Sequence, residues 1–211
     1  MREAGMTEDI LRFRLKGARK YVQGPDLYNA VMAFIARRYG PCQGTFKMTM
    51  HSLVFKQCRV ICSKSGEPEA EKPADVKAEF ILETDDFRIK GYLQEINEDI
   101  AGRDDYDEAP LVAMCDVDKT QKRIVLHGRS PYTTIEVAVS MNKHLLNILL
   151  LPDVKEKWYF TRLELDRLLR PEDQGGLRLT LVQNLQNKLT KSRMFVGDEP
   201  VGHMYFSLVK Q

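Results

Sequence analysis

The sequence predicts an α+β fold with antiparallel sheets, and three observations predict it. Two apolar helices stand among many β-rich segments. Several of those segments alternate apolar and polar residues with the period of two that a half-buried strand requires. The order strand, helix, long strands also recurs after about half the chain.

Each element follows from its residues. ILRFRLKG (Ile10 to Gly17) places Leu11, Phe13 and Leu15 on one face and reads as a strand. In RKYVQGPDLYNAVMAFIARRYGP (Arg19 to Pro41), Leu27, Val31, Phe34 and Ile35 line one face of a helix. Pro25 suits its first turn, Gly40 its C-terminal cap, and Pro41 forbids continuation. TFKMTMHSLVFKQCRVIC (Thr45 to Cys62) is rich in strand formers, and SKSGEPEAEKPAD (Ser63 to Asp75) is a charged, proline-bearing loop. Asp85-Asp86 divides a hairpin in which Phe87, Ile89 and Leu93 share a face. EDIAGRDDYDEAP is a polar loop, and LVAMCDVDKTQKRIVLHG a second hairpin turning at DVDKTQ.

TTIEVAVSMNKHLLNILLLP starts ambiguously, because Ile135, Val137 and Val139 alternate as in a strand. From Ala138 onward Met141, Leu145, Ile148 and Leu149 repeat helically, so a mostly buried helix ending at Pro152 is expected. KWYFTRLELDRLL reads as a strand. LRLTLVQNLQNKL (Leu177 to Leu189) puts Leu177, Leu179, Leu181, Leu185 and Leu189 on one strand face, and VGDEPVGHMYFSLV closes with a Gly-Asp turn and a last strand.

Composition narrows the function. The 211 residues are 43% apolar, enough for one large domain or two small ones. A net charge of +2 argues against a dedicated nucleic-acid binder. MREAGMTEDI has no apolar signal core, and LLNILLL (Leu145 to Leu151) falls far below the ~20 residues of a membrane span. A soluble, cytoplasmic protein without membrane association is expected. Cys42, Cys58, Cys62 and Cys115 form no CxxC cluster and read as buried free thiols. Cys58 and Cys62, four apart, share a strand face.

RFRLKG (Arg12 to Gly17) and RIVLHG (Arg123 to Gly128) match in Arg, Leu and Gly. Each precedes a proline-containing turn, an apolar helix and an aromatic, Thr-bearing strand, TFKMTM or WYFTRL. The pattern resembles the hotdog fold, in which a curved sheet wraps one helix. Two copies in one chain look like a double hotdog, with residues 1–109 as the first half and 110–211 as the second. The resemblance covers most of the chain and implies a protein that binds acyl thioesters of coenzyme A or of an acyl-carrier protein, of the thioesterase or dehydratase type. It implies no cofactor, and whether the chain also forms a homodimer stays open. The alternative is a non-catalytic α+β protein that binds a partner through a sheet surface or an apolar groove.

The resemblance also gives the helix starts a meaning. A helix N-terminus carries unpaired N–H groups and partial positive charge, suited to polarising a thioester carbonyl. Asp26 lies there as a candidate base, with Tyr21, Tyr28 and Asn29 as hydrogen-bonding partners; its plain alternative is a first-turn capping acid. Thr133, Thr134 and Glu136 mark the second helix start and read as caps or substrate contacts. His51 and His127 are the candidate histidines, since an imidazole can act as acid or base near neutral pH. His144 sits mid-helix and His203 follows the final turn. No dehydratase-type His-and-acid motif, phosphate loop, HExxH, GxSxG or calcium loop is present, and no metal site is expected. Lys188, Lys191 and Arg193 form a basic strand end that faces solvent, an acidic carrier protein or nucleotide phosphates.

Overall fold

The computed structural model describes residues 7–150 and 156–210. The chain divides into two compact units, Met1–Tyr106 and Asp107–Gln211.

The first unit contains β1 (Thr7–Leu11), β2 (Leu15–Lys16), α1 (Gly24–Tyr39), β3 (Thr45–Met50), β4 (Lys56–Lys64), β5 (Val76–Glu83), β6 (Arg88–Asp99) and β7 (Arg103–Asp104). Five strands form an antiparallel sheet in the order β1-β4-β6-β5-β3, while β2 and β7 make a two-residue parallel pair. The expected single strand from Ile10 to Gly17 is therefore two. Between them, Phe13 leaves the ladder because the buried Gln57 side chain takes over its backbone. Phe13 N–H donates to Gln57 Oε1 at 2.6 Å, and Gln57 Nε2 donates to Phe13 O at 3.2 Å.

Helix α1 lies where its periodicity puts it. Leu27, Val31, Phe34 and Ile35 are each at most 2% exposed. The sheet curls around this face: Tyr28 meets Phe46 of β3 edge-on at 5.3 Å, and Tyr39 Oη lies 3.6 Å from Cys62 Sγ of β4. Gly40 ends the helix at φ 84°, its N–H bonded to Ala36 O. Strand β4 is covered on both faces, since Ala70 of the loop after it packs with Ile61 and Tyr92 on the side away from Cys58 and Cys62. The hairpin at Asp85-Asp86 forms as expected, with Thr84 Oγ1 accepting from the N–H of both Asp86 and Phe87.

The second unit contains α2 (Ala109–Val112), β8 (Cys115–Asp118), β9 (Arg123–Leu126), α3 (Thr134–Leu150), β10 (Glu156–Leu165), a 3₁₀ turn (Pro171–Gly176), β11 (Leu177–Leu185), β12 (Leu189–Val196) and β13 (Glu199–Lys210). Its strands run antiparallel in the order β10-β13-β12-β11-β9-β8. Three expectations change here. Leu111 and Val112 belong to a short helix, not to a strand. The β-branched start of α3 is helical from Thr134, because Glu136 bonds back to Thr133 and nucleates the turn. Its expected stop at Pro152 lies outside the described residues.

The third change is larger. Leu177 to Leu189 is not one strand face but most of a hairpin. Gln186 and Asn187 both take positive φ, 52° and 54°, the pair of left-handed residues that a tight hairpin turn requires. A register shift between Leu181 and Gln183 then turns the tip over. Leu177, Leu179 and Leu181 are buried, while Leu185 and Leu189 are 53% and 41% exposed.

Candidate functional site

At the start of α1, the chain enters through Val22, whose N–H bonds Val54 O at 2.8 Å. Gln23 is the N-cap residue, with φ −73° and ψ 150°. Pro25 supplies no N–H, and that of Asp26 turns back onto Gln23 O at 3.0 Å. The helix start is therefore poorer in free donors than an ordinary one. The Gln23 side chain compensates. It makes no capping bond, the residue is 8% exposed, and its Nε2 donor is buried without a hydrogen-bond partner. Leaving such a donor unmet costs about 1–3 kcal/mol, so a ligand oxygen placed there would gain directly.

Beside it, Asp26 Oδ1 accepts from Lys16 Nζ at 2.5 Å, with the two side chains only 13% and 19% exposed. Lys16 comes from β2, and the β2–β7 pair holds it in place. Arg103 of β7 donates to Arg19 O at 2.7 Å and also to Gly17 O. Tyr106 is faced by Lys16 Nζ and the Arg19 guanidinium at 5.5 and 5.3 Å from its ring centre. The result is a carboxylate ion-paired in a half-dry setting, one helical turn along the chain from an unmet amide donor.

The remaining candidates sort by unit. Tyr21 and Asn29 are half-buried near the same helix start, while Tyr28 is buried and spends its ring on Phe46. His51 follows β3 and its ring pairs with Glu79 at 3.6 Å, not with Asp26. His127, Thr133 and Thr134 belong to the second unit. His127 is exposed and pairs with Asp116 at 2.9 Å. Thr133 N–H and Oγ1 both donate to Glu136 Oε2, at 2.8 and 2.6 Å, and Thr134 Oγ1 donates to Arg170 O at 2.8 Å. These bonds seal the start of α3, whereas α1 keeps an unmet amide. Gln23 and Lys16 are the residues that sequence reasoning missed. Gln23 stood in the quoted QGPD stretch, but nothing in a sequence shows that an N-cap amide makes no cap.

The four cysteines are free. Burial pushes the Cys58 thiol up to about 12 and that of Cys115 up to about 11, and raises Cys62 and Cys42 as well. Thiolate, not thiol, is the nucleophile. Alkylation of the folded protein at pH 8 is therefore expected to label the half-exposed Cys42 well before Cys58, as read by peptide mass spectrometry. Equal rates at the two sites contradict the burial order.

Neither a family model nor a curated protein sequence matches the chain. Solved structures do. The dehydratase domain of PpsC from Mycobacterium tuberculosis, solved in complex with C12:1-CoA, superposes with a TM-score of 0.52 at 8% identity, covering 97% of this chain and 93% of that one. The chain has a hotdog fold. A TesB protein from Mycobacterium avium subs paratuberculosis (TM-score 0.48, 7% identity, 99% and 93% covered) and the acyl-CoA thioesterase II TesB2 from Mycobacterium marinum (0.44, 9%, 89% and 89%) are also similar. Hotdog architecture accounts for the sheet curled about α1. Among the described residues, no helix is long and apolar enough to cross a membrane.

Proposed function

We propose that this hotdog protein is an enzyme acting on acyl thioesters, with its reaction centre at the start of α1. The observation that carries the reading is the part-buried Lys16–Asp26 pair on the same helix turn as the unpartnered Gln23 Nε2 donor. In this reading the thioester carbonyl oxygen accepts from Gln23 Nε2, assisted by the N–H of Gly24 and the positive end of the helix. Asp26 is the general base, taking a proton from water or from the acyl chain. Lys16 holds it oriented. Tyr21 and Asn29 remain proposed substrate contacts, as do Thr133 and Thr134 at the second helix start. His51 and His127 are proposed as secondary acid–base groups. The similarity to thioesterases and to a dehydratase domain solved with an acyl-CoA supports this class of substrate.

Thermal unfolding with acyl-CoAs of several chain lengths tests the reading. A ligand bound at a hundredfold excess over Kd stabilises the folded state by about 2.7 kcal/mol, and the transition should rise accordingly. Asp26→Asn is expected to keep this shift while lowering turnover of the thioester by about 10²–10⁴-fold. Gln23→Leu should weaken the shift as well as turnover. No shift with any acyl group would leave the chain a binding protein of another kind.

A further inference from the structure

Helix α3 carries an amide on its apolar side. Ile135, Ala138, Leu145 and Leu146 make a buried stripe, and Asn142 stands within it, four residues from both Ala138 and Leu146. The polar side of the helix lies elsewhere: Ser140 Oγ donates to Glu108 Oε1 at 3.2 Å, and Lys143 pairs with Glu108 Oε2. Asn142 is 0% exposed, and neither its Nδ2 nor its Oδ1 has a hydrogen-bond partner. An amide buried in that state loses its bonds to water and regains none. Leucine here would fold more stably, so the amide serves something other than stability.

The sheet under α3 carries matching groups. The helix packs on β9, β10 and β11. The inward face of the sheet is lined by Leu179 and Leu181 of β11, Met194 of β12, and Met204 and Phe206 of β13, all buried. Among them stands Ser192, in register with Leu181 and Met204, 0% exposed and with its Oγ likewise unpartnered. Trp158 of β10, opposite Leu208, shares this face, and its Nε1–H is also unmet. Trp158 and Ser192 are four residues apart along β13 and two strands apart across it. At about 3.4 Å per residue and about 4.8 Å per strand, roughly 17 Å separates them. Met194 and Met204 flank Ser192, and Met141 adjoins Asn142; these unbranched side chains rearrange more readily than leucine or isoleucine.

We infer that the second unit recognises a hydroxyl group borne part-way along an aliphatic chain, with Asn142 and Ser192 as the recognising residues. A hydroxyl both donates and accepts, as Asn142 and Ser192 each do, so it can pair with either in both senses. A ketone only accepts and would leave Asn142 Oδ1 unmet. The apolar surroundings, and the length over which the unmet groups are spread, fit an extended chain and not a compact polar metabolite. Asn142 lies two turns into the helix from Thr134, about 12 Å along its axis. The hydroxyl is therefore remote from any group held at the start of α3. That the chain arrives as an acyl thioester rests on the function proposed above; the recognition of its hydroxyl does not.

Trp158 is the only tryptophan of the chain, so its emission reports binding inside this unit. Titration with hexadecanoate and with its mono-hydroxy isomers is expected to show one mid-chain isomer bound about tenfold more tightly than the parent acid, the worth of one well-made hydrogen bond. Asn142→Leu should bring that isomer to within about twofold of the parent. It should also raise the unfolding midpoint of the ligand-free protein by about 2–4 °C, since an unmet amide gives way to an apolar side chain of similar size. Ser192→Ala should reduce the preference by a smaller factor. Equal affinity for the parent and every isomer overturns the inference, as does emission that no chain alters or a preference that survives both variants. An Asn142→Leu protein that is less stable than wild type yet keeps the preference marks the amide as structural and overturns it too. An isomer preference without any response to acyl-CoAs in thermal unfolding would leave the hydroxyl site standing and end the thioester reading. Acyl-CoA stabilisation that is blind to hydroxylation would do the reverse.

Discussion

Lys16→Met is expected to destabilise the protein by about 3 kcal/mol, and adding Asp26→Asn to it should restore most of that loss. The pair is 2.5 Å apart with both side chains largely out of water. Removing one partner of such a pair leaves the other charge less well compensated, at a cost of about 3–5 kcal/mol when burial is complete; the residual exposure here favours the lower end. The two single substitutions should differ. Without Asp26, Lys16 still faces the Tyr106 ring at 5.5 Å and has a flexible stem that can lift its charge toward water. Without Lys16, Asp26 is fixed on the first turn of α1 and has a short side chain that cannot follow. Asp26→Asn alone should therefore cost less, about 1 kcal/mol. Urea unfolding of the two single variants and the double variant closes the cycle, and a coupling energy below about 0.5 kcal/mol would mean that the pair does not act as a unit. The same variants separate stability from chemistry: Lys16→Met/Asp26→Asn should fold well and turn over no thioester.

Most of the fold was legible in the sequence because burial writes itself into period. Leu27, Val31, Phe34 and Ile35 could hardly face anything but a core, and Gly40-Pro41 stopped the helix in the expected place. The failures have two causes: side-chain hydrogen bonds across long separations leave no local trace, and a tight turn can leave the apolar period intact. Gln57 breaks the first strand at Phe13 from 44 residues away. At Leu177 to Leu189 the alternation was real, yet a hairpin can continue a period of two across its turn. Only the positive φ of Gln186 and Asn187 shows that the direction reverses. The candidate site was half legible for the first of these reasons. Asp26 was visible from its place after Gly-Pro, but its partner Lys16 lies ten residues back on a two-residue strand. The second helix start held three polar residues as inviting as Asp26, and the structure spends Thr133, Thr134 and Glu136 on capping.

Asp173→Ala is expected to cost about 3–5 kcal/mol, a large part of the 5–15 kcal/mol that holds a typical domain together. Its carboxylate is 6% exposed and receives both ends of the Arg167 guanidinium, at 2.7 and 3.1 Å, while Arg167 Nε reaches Glu199 at 3.0 Å. Asp173 and then Glu199 raise the guanidinium's proton affinity, so Arg167 stays charged at any working pH. Oδ2 also accepts from the Arg170 N–H at 2.8 Å, which fixes the 3₁₀ turn from Pro171 to Gly176. That turn in turn supports α3. Gln174 donates to Tyr132 O at 2.7 Å and accepts from the Ser130 N–H at 2.9 Å, and Arg170 O receives Thr134 Oγ1. Loss of Asp173 should thus be felt in two places. Global stability falls in urea unfolding, and amide exchange in the first turn of α3 quickens before that of the buried middle of the helix around Met141. Asp173→Asn keeps an acceptor for Arg170 and leaves the Arg167 charge to Glu199 alone, so it should fall between wild type and Ala. An Ala variant that loses less than about 1 kcal/mol, or that leaves exchange at Val137 and Ala138 unchanged, would show that α3 is held by its apolar face alone.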